Sequence, residues 1–103
     1  MPVIVVAVII PKHDKMQVVL NAFATVSPKV HREQGCELYA AHTDGDHVVM
    51  VERWTTQEDL DAHGLAAPVM ELKMLWDGSL AKEPEILLLE NVPLGDSVKG
   101  VIQ

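Results

Sequence analysis

The chain of 103 residues has a single cysteine, Cys36, and few basic residues. One thiol excludes an internal disulfide and any metal site built from several thiolates, and it favours a reducing, cytoplasmic location. Eight Lys and Arg against fifteen Asp and Glu give a formal net charge of −7. Because nucleic acids and anionic membranes are bound by basic surfaces, we expect neither as a partner.

Long apolar runs and familiar catalytic motifs are also missing. No stretch of about 18 apolar residues is available to cross a bilayer. The apolar N-terminal run lacks the basic start and the small-residue cleavage site of a signal peptide. The sequence contains no Gly-rich phosphate loop, no Gly-x-Ser-x-Gly elbow and no His-Glu-x-x-His zinc motif. Function therefore has to be inferred from the fold and from the placement of individual side chains.

Hydrophobic residues make up 49% of the chain, and this content predicts one packed domain. The β-branched run at residues 3–10 predicts a central strand covered on both faces, and residues 85–91 predict the last strand. Between residues 16 and 30, apolar side chains recur three and four residues apart. This spacing predicts an amphipathic helix with Asp14 as its N-cap, ending near Glu33.

A hairpin follows this helix. Residues 36–42 and 47–54 predict two strands joined by a two-residue turn at Asp44-Gly45, since Asp-Gly between apolar runs is a strong hairpin signal. His42 would then face His47 beside the acidic turn. Two imidazoles and a carboxylate could bind a metal, but a polar hairpin end is the simpler interpretation, and we expect no metal site.

One face of the predicted hairpin carries two opposed carboxylates. The symmetric turn pairs Tyr39 with Met50 and Glu37 with Glu52, and it places all four on one face. Opposed carboxylates repel each other, and burying both without partners is costly. We therefore expect water or an arginine such as Arg53 to compensate them, or one carboxyl to be held protonated with a raised pKa.

Two helices complete the element order. Thr55 and Glu58 form a capping box for a short helix, and Pro68 precedes a second helix at residues 69–77, whose apolar composition predicts that it is largely buried. The order β-α-β-β-α-α-β predicts an α+β, ferredoxin-like fold with a four-stranded antiparallel sheet. Helices cover one face only, so a second copy is the expected cover for the other. Residues 93–103 would form a mobile tail or an arm onto that partner.

His63 is the candidate acid–base residue. It lies three positions after Leu60 on the short helix, so its imidazole can point toward the core. A buried histidine in a purely structural role is the alternative. Near neutral pH, however, His63 is the only obvious general base in the helical layer.

Three segments resemble the antibiotic biosynthesis monooxygenase superfamily, namely residues 32–39 (REQGCELY), 51–54 (VERW) and 60–63 (LDAH). The resemblance spans residues 3–92 and implies one ferredoxin-like domain at residues 1–92, whose sheet pairs with that of a second copy in a dimeric α+β barrel. Some members of the superfamily oxidise aromatic polyphenols to quinones with molecular oxygen and without metal, flavin or haem. The resemblance thus implies a cofactor-independent monooxygenase, a homodimer, that acts on a hydroquinone or similar small aromatic.

The same resemblance implies an apolar pocket with His63 and Glu52 as catalytic residues. Trp54 matches the pocket tryptophan of the superfamily, and His63 matches a histidine of its quinol-oxygenase-like and autoinducer-processing branches. The residues expected to bind the substrate are Trp54, Tyr39, Met50, Met70, Met74 and Trp76.

Two alternatives stay open. The first is an isomerase of a small oxygenated metabolite, which would move a proton with His63 and would not need oxygen. The second is a ligand-binding dimer without catalysis. Met50 and Leu60 permit this second possibility, because the polyketide oxygenases have asparagine and tyrosine at those two positions.

Overall fold

The computed structural model describes residues 2–103, and within them the elements follow the predicted order. The strands are β1 (Val3–Ile9), β2 (Cys36–Thr43), β3 (Val48–Trp54) and β4 (Glu85–Leu89), and the helices are α1 (Met16–His31), α2 (Gln57–Gly64) and α3 (Ala67–Leu75). The strands form one antiparallel sheet in the order β2-β3-β1-β4. The predicted α+β, ferredoxin-like fold class is confirmed.

The two faces of the sheet differ in their cover. The inner face, which includes Val5 and Ala7 of β1 and Met50 of β3, packs against the apolar side of α1 in one buried cluster. The outer face carries the alternate residues of the same strands, of which Val6 and Val49 are only partly buried, whereas Ile4 is fully buried. Since α1 lies on the inner face, no helix among residues 2–103 covers the apolar outer surface of the sheet.

The β2–β3 hairpin turns over four residues, so the predicted two-residue turn is wrong. Thr43 pairs with Val48, and residues 44–47 form the loop. The Asp44 carboxylate explains the wider loop, because it accepts hydrogen bonds from the backbone N–H groups two and three residues further on, at 2.9 and 2.8 Å. These hydrogen bonds from the backbone to the Asp44 side chain stabilise the four-residue loop. A two-residue Asp-Gly turn does not require them.

The wider loop shifts the pairing along the hairpin, and Glu37 does not face Glu52 as predicted. Tyr39 pairs with Glu52, and a β-bulge at the start of β2 separates Glu37 from this register. The Glu37 carboxylate instead accepts hydrogen bonds from Arg53 Nε and the Thr55 hydroxyl. The expected compensation by Arg53 is therefore confirmed for Glu37, whereas Glu52 keeps a separate environment.

Both predicted N-caps are wrong by one residue. Lys15 occupies the N-cap of α1, and Asp14 adopts a left-handed conformation with φ of 65°. At α2 the N-cap is Thr56, whose hydroxyl accepts a hydrogen bond of 3.1 Å from the backbone N–H of Asp59. The Thr55 hydroxyl instead donates a hydrogen bond to Glu37.

The prediction that the third helix is largely buried is also wrong. Leu72 is the buried residue of α3, whereas the side chains of Met70 and Met74 are 51% and 78% exposed. The helix packs against α1 along one narrow stripe, so its other apolar side chains face outward. The exposed methionines leave an apolar helix surface that composition alone does not reveal.

The C-terminal segment folds back along the chain. The backbone N–H and C=O of Ile102 both bond to the Asn91 side chain, at 3.0 and 3.1 Å, and Arg53 also donates to that carbonyl. Whether residues 93–103 reach a partner subunit, and whether the domain ends at residue 92, stay predictions. Within the described part of the chain, no helix is long and apolar enough to span a membrane.

Candidate functional site

A cavity of about 140 Å³ lies between the inner face of the sheet and the helices. Its walls are mostly apolar. It brings together five of the residues predicted for the site, namely Tyr39, Met50, Glu52, His63 and Trp76. An open groove of about 570 Å³ adjoins this cavity and shares six lining residues with it, and residues of α2, α3, β1, β3 and β4 line the groove. We call the first space the chamber and the second the groove.

His63 is held in the chamber wall by an acidic partner. Its Nδ1 lies 2.9 Å from Glu33 Oε1, and the two side chains are only 9% and 16% exposed. A carboxylate accepts but cannot donate, so Nδ1 carries the proton of this hydrogen bond. In the neutral ring, Nε2 then keeps its lone pair and can accept a proton from a bound ligand.

Two aromatic rings fix the orientation of this imidazole. Trp54, which is fully buried, stacks on His63 with ring centroids 4.5 Å apart and planes inclined by 30°. Tyr39 meets the same ring edge-on, with centroids 5.7 Å apart. Trp54 was expected to line the pocket, but it lies behind His63 and supports the ring instead.

Glu52 is the second acidic group at the site. Its Oε1 accepts a hydrogen bond of 3.0 Å from Trp54 Nε1, and the residue is 6% exposed. Burial raises the pKa of this carboxyl above the 4.5 of an ordinary glutamate, although the Trp54 hydrogen bond and the charge of His63 oppose the rise. Burial and the nearby Glu52 and Glu33 carboxylates likewise raise the pKa of the Tyr39 hydroxyl. Burial thus favours the protonated forms of Glu52 and Tyr39.

The raised pKa of Glu52 predicts a pH-dependent stability. The folded protein holds this proton to higher pH than the unfolded chain, so the contribution of Glu52 to the free energy of unfolding is complete below its unfolded pKa and is lost as pH rises through the folded pKa. In Glu52→Gln this loss of stability does not occur, because glutamine does not titrate. Its side-chain oxygen can still accept the hydrogen bond from Trp54 Nε1. We expect the variant to gain thermal stability relative to the parent as pH rises from about 4 to about 7, as measured by circular dichroism.

Glu37→Gln is the control of opposite sign. Hydrogen bonds from Thr55 and Arg53 lower the pKa of Glu37, so its contribution to stability is present above its unfolded pKa and is lost as pH falls. Replacing Glu37 by glutamine is expected to lower the free energy of unfolding near neutral pH and to leave it unchanged in acid. A stability difference for Glu52→Gln that does not change with pH would contradict the burial effect.

Glu33 is the site residue that the sequence analysis missed. It lies just after α1, where its N–H bonds to the Val30 carbonyl at 2.9 Å, and it precedes a sharp turn at Gly35. Gly35 has φ of 79°, and a Cβ there would collide with the Asp59 side chain of α2. The turn therefore needs glycine, and it brings the end of α1 close to the start of α2. The segment 32–39 carried the resemblance, but nothing in it assigned Glu33 a role.

The structure separates some predicted site residues from the chamber. The hydrogen bond that orients His63 is donated to Glu33 and not to Glu52. Met70 and Met74 line neither the chamber nor the groove, because their side chains lie on the exposed side of α3. Among residues 2–103, no group of three or more His, Cys, Asp and Glu side chains is placed to hold a metal ion.

The chain is similar to known proteins both in sequence and in structure. The family model described as "Antibiotic biosynthesis monooxygenase" matches residues 2–67. The chain is 35% identical over 72 residues to "Probable quinol monooxygenase YgiN" of Escherichia coli (strain K12), covering 59% of this chain and 68% of that protein.

Solved structures have the same fold. A conserved protein from Methanosarcina mazei Go1 superposes with a TM-score of 0.80 at 26% identity, covering 86% of this chain and 91% of that one. The Rv0793 protein of Mycobacterium tuberculosis gives a TM-score of 0.81 at 22% identity, covering 94% and 99%. At so low an identity, the similarity to the Rv0793 protein shows the fold alone. The matches to the family model and to the Escherichia coli relative are similarities of sequence.

Proposed function

The chain belongs to the antibiotic biosynthesis monooxygenase family, and from this premise we propose that it is a cofactor-independent monooxygenase of a hydroquinone or similar small aromatic. The observation that carries the proposal is the buried imidazole of His63, held by Glu33 at 2.9 Å in the wall of an apolar chamber. The name of the Escherichia coli relative supports a quinol as the substrate class.

The first step is a proton transfer to His63. A hydroquinone hydroxyl placed against Nε2 gives up its proton, and the Glu33 carboxylate stabilises the imidazolium that forms. The phenolate left in the chamber is electron-rich enough to reduce molecular oxygen directly. Met50 and Trp76 in the chamber wall help to exclude water, which would otherwise compete for the reduced oxygen species.

The overall reaction balances without another reductant. Conversion of the hydroquinone to a quinone supplies two electrons, and replacement of one ring C–H bond by C–OH supplies two more. One atom of molecular oxygen enters the ring as this hydroxyl. The other atom leaves as water with the two hydroxyl protons, so the product is a hydroxyquinone.

We propose that the active form is a homodimer built through the outer face of the sheet. That face carries partly buried valines on both central strands, including Val6, Val8, Val49 and Val51, and no helix packs over them. An apolar surface of this kind is typical of protein–protein interfaces. Pairing two such faces would remove it from water and would give the barrel that the family resemblance implies.

Oxygen uptake tests the activity. Purified protein that has been treated with a chelator is mixed with hydroquinone under air, and the rate is compared with spontaneous oxidation in a protein-free sample. We expect faster oxygen consumption and, with oxygen-18, one labelled atom in a hydroxyquinone product. A rate equal to the protein-free sample, or hydrogen peroxide formed without labelled product, would contradict the proposal.

An isomerase is the second candidate, because His63 and Glu52 line the same chamber and can exchange protons with one bound ligand. Proton transfer needs no oxidant. Turnover of an oxygenated metabolite that continues unchanged after oxygen is removed would favour the isomerase over the monooxygenase. Ligand binding with no turnover under either condition would favour a dimer that only binds.

A further inference from the structure

The chamber is large enough for one aromatic ring. In proteins, an apolar cavity of about 150 Å³ holds one benzene molecule, and the chamber measures about 140 Å³. A single ring bound beside His63 therefore fills it. Any substituent on that ring must extend out of the chamber.

The groove is the exit for such a substituent, since it shares part of its lining with the chamber. Both spaces are lined by Ala7, Glu52, His63, Val69, Lys73 and Ile86. Beyond these residues, apolar side chains from three elements and a loop form much of the groove wall, namely Val5, Leu60, Leu65 and Leu88.

Several of these apolar side chains are exposed to solvent. Leu65 is 80% exposed, Ile86 61% and Leu88 58%. Exposed apolar residues clustered around a groove mark a surface that binds an apolar ligand. Gln57, Asp61 and the charged Lys73 also line the groove, but all three are exposed to solvent and so need no polar group on the ligand.

We propose that the substrate is a single-ring hydroquinone with an apolar side chain several carbons long, which lies in the groove against Leu65, Ile86 and Leu88. This inference rests on the proposed function and specifies its substrate class. It is argued from the six lining residues that the two spaces share, because a ring bound beside His63 places its substituent next to the groove. The groove then contributes binding affinity and selectivity, while the chamber carries out the chemistry.

Binding of 4-alkylphenols tests the inference separately from catalysis. These compounds have the ring and one hydroxyl but lack the second hydroxyl that a quinone requires. Affinity is measured by the change in tryptophan fluorescence, since Trp76 lines the chamber and Trp54 stacks on His63 in its wall. Full burial strengthens binding about fourfold per methylene, so a groove open on one side is expected to give about twofold, or roughly thirtyfold from 4-methylphenol to 4-hexylphenol.

Leu65→Ser identifies the groove as the source of this gain. The affinity ratio between 4-hexylphenol and 4-methylphenol is expected to fall at least threefold in this variant, whose substituted side chain is too exposed to affect folding. Val18→Ser is the matched control. Val18 lies on α1, is 36% exposed and lines neither space, so its replacement should leave the ratio unchanged.

The outcomes separate this inference from the proposed function. Affinity that does not rise with chain length, or a ratio equally reduced by both serine variants, would overturn the groove assignment even if hydroquinone is oxidised. Affinity that rises with chain length and depends on Leu65, without any oxygen consumption, would support the groove while the proposed activity fails.

Discussion

His63→Gln is expected to lower kcat/KM for hydroquinone oxidation by about 10²- to 10⁴-fold, the usual contribution of a positioned general base. Glutamine occupies much of the imidazole volume and can still donate a hydrogen bond to Glu33, so the chamber keeps its shape. It has no basic nitrogen, however, and the substrate hydroxyl loses its proton acceptor. Oxygen uptake at fixed pH measures the effect, and thermal unfolding checks that the fold is retained.

His31→Gln is the matched control. The His31 ring also meets Tyr39 edge-on, at a centroid distance of 6.3 Å, and its Nε2 lies 2.9 Å from the Tyr39 carbonyl oxygen. It lines neither the chamber nor the groove. We expect its replacement to change kcat/KM by less than about threefold, as for most residues outside a site. Equal losses from both substitutions would indicate that Tyr39 packing, and not the base at His63, governs the rate.

Local patterns in the sequence were sufficient for the main elements of the fold. The apolar run in β1 and the three- and four-residue spacing in α1 each reflect the burial of a single continuous segment. Both elements lie close to their predicted bounds. The predicted sheet face was also correct for the inner hairpin residues Tyr39, Met50 and Glu52. A shift of two residues in the pairing moves the partners without changing the face.

The errors arose where side chains compete with backbone patterns. Asp44 stabilises a four-residue loop through its carboxylate, and the bulge beside Glu37 follows from pairing with Arg53 and Thr55. Neither effect is visible in hydrophobic periodicity. The exposed surface of α3 was missed for a different reason, since composition cannot tell a helix buried in its own chain from one with an apolar surface left open.

Only one residue of the proposed acid–base pair could be predicted from the sequence. His63 was identified by its residue type and its position on α2, but its partner lies 30 residues earlier in the chain. Contact between them depends on the turn at Gly35 and on how the end of α1 packs beside α2. This is tertiary information, and a single sequence contains no local spacing that encodes it.

The buried carboxylate of Glu33 is expected to lower the stability of the fold, so its charge calls for a functional reason. Its Oε2 is buried and has no hydrogen-bond partner in the part of the chain that the structure describes. An unpaired buried carboxylate oxygen typically destabilises a protein. Under the proposed mechanism the compensating benefit is chemical, because the charge of Glu33 would stabilise the imidazolium that His63 becomes on accepting a proton.

Glu33→Gln is therefore expected to lower kcat by about 10²-fold, with little change in KM, because the substrate does not contact Glu33 and only the protonated form of His63 loses stabilisation. The free energy of unfolding should change by less than about 1 kcal/mol, since the amide keeps the shape and removes a buried charge. Steady-state oxygen uptake and denaturant unfolding measure the two effects. Glu33→Asp, which keeps the charge on a shorter side chain, should recover part of kcat. If both variants lose activity and stability in proportion, Glu33 would be a structural residue and not the group that positions His63.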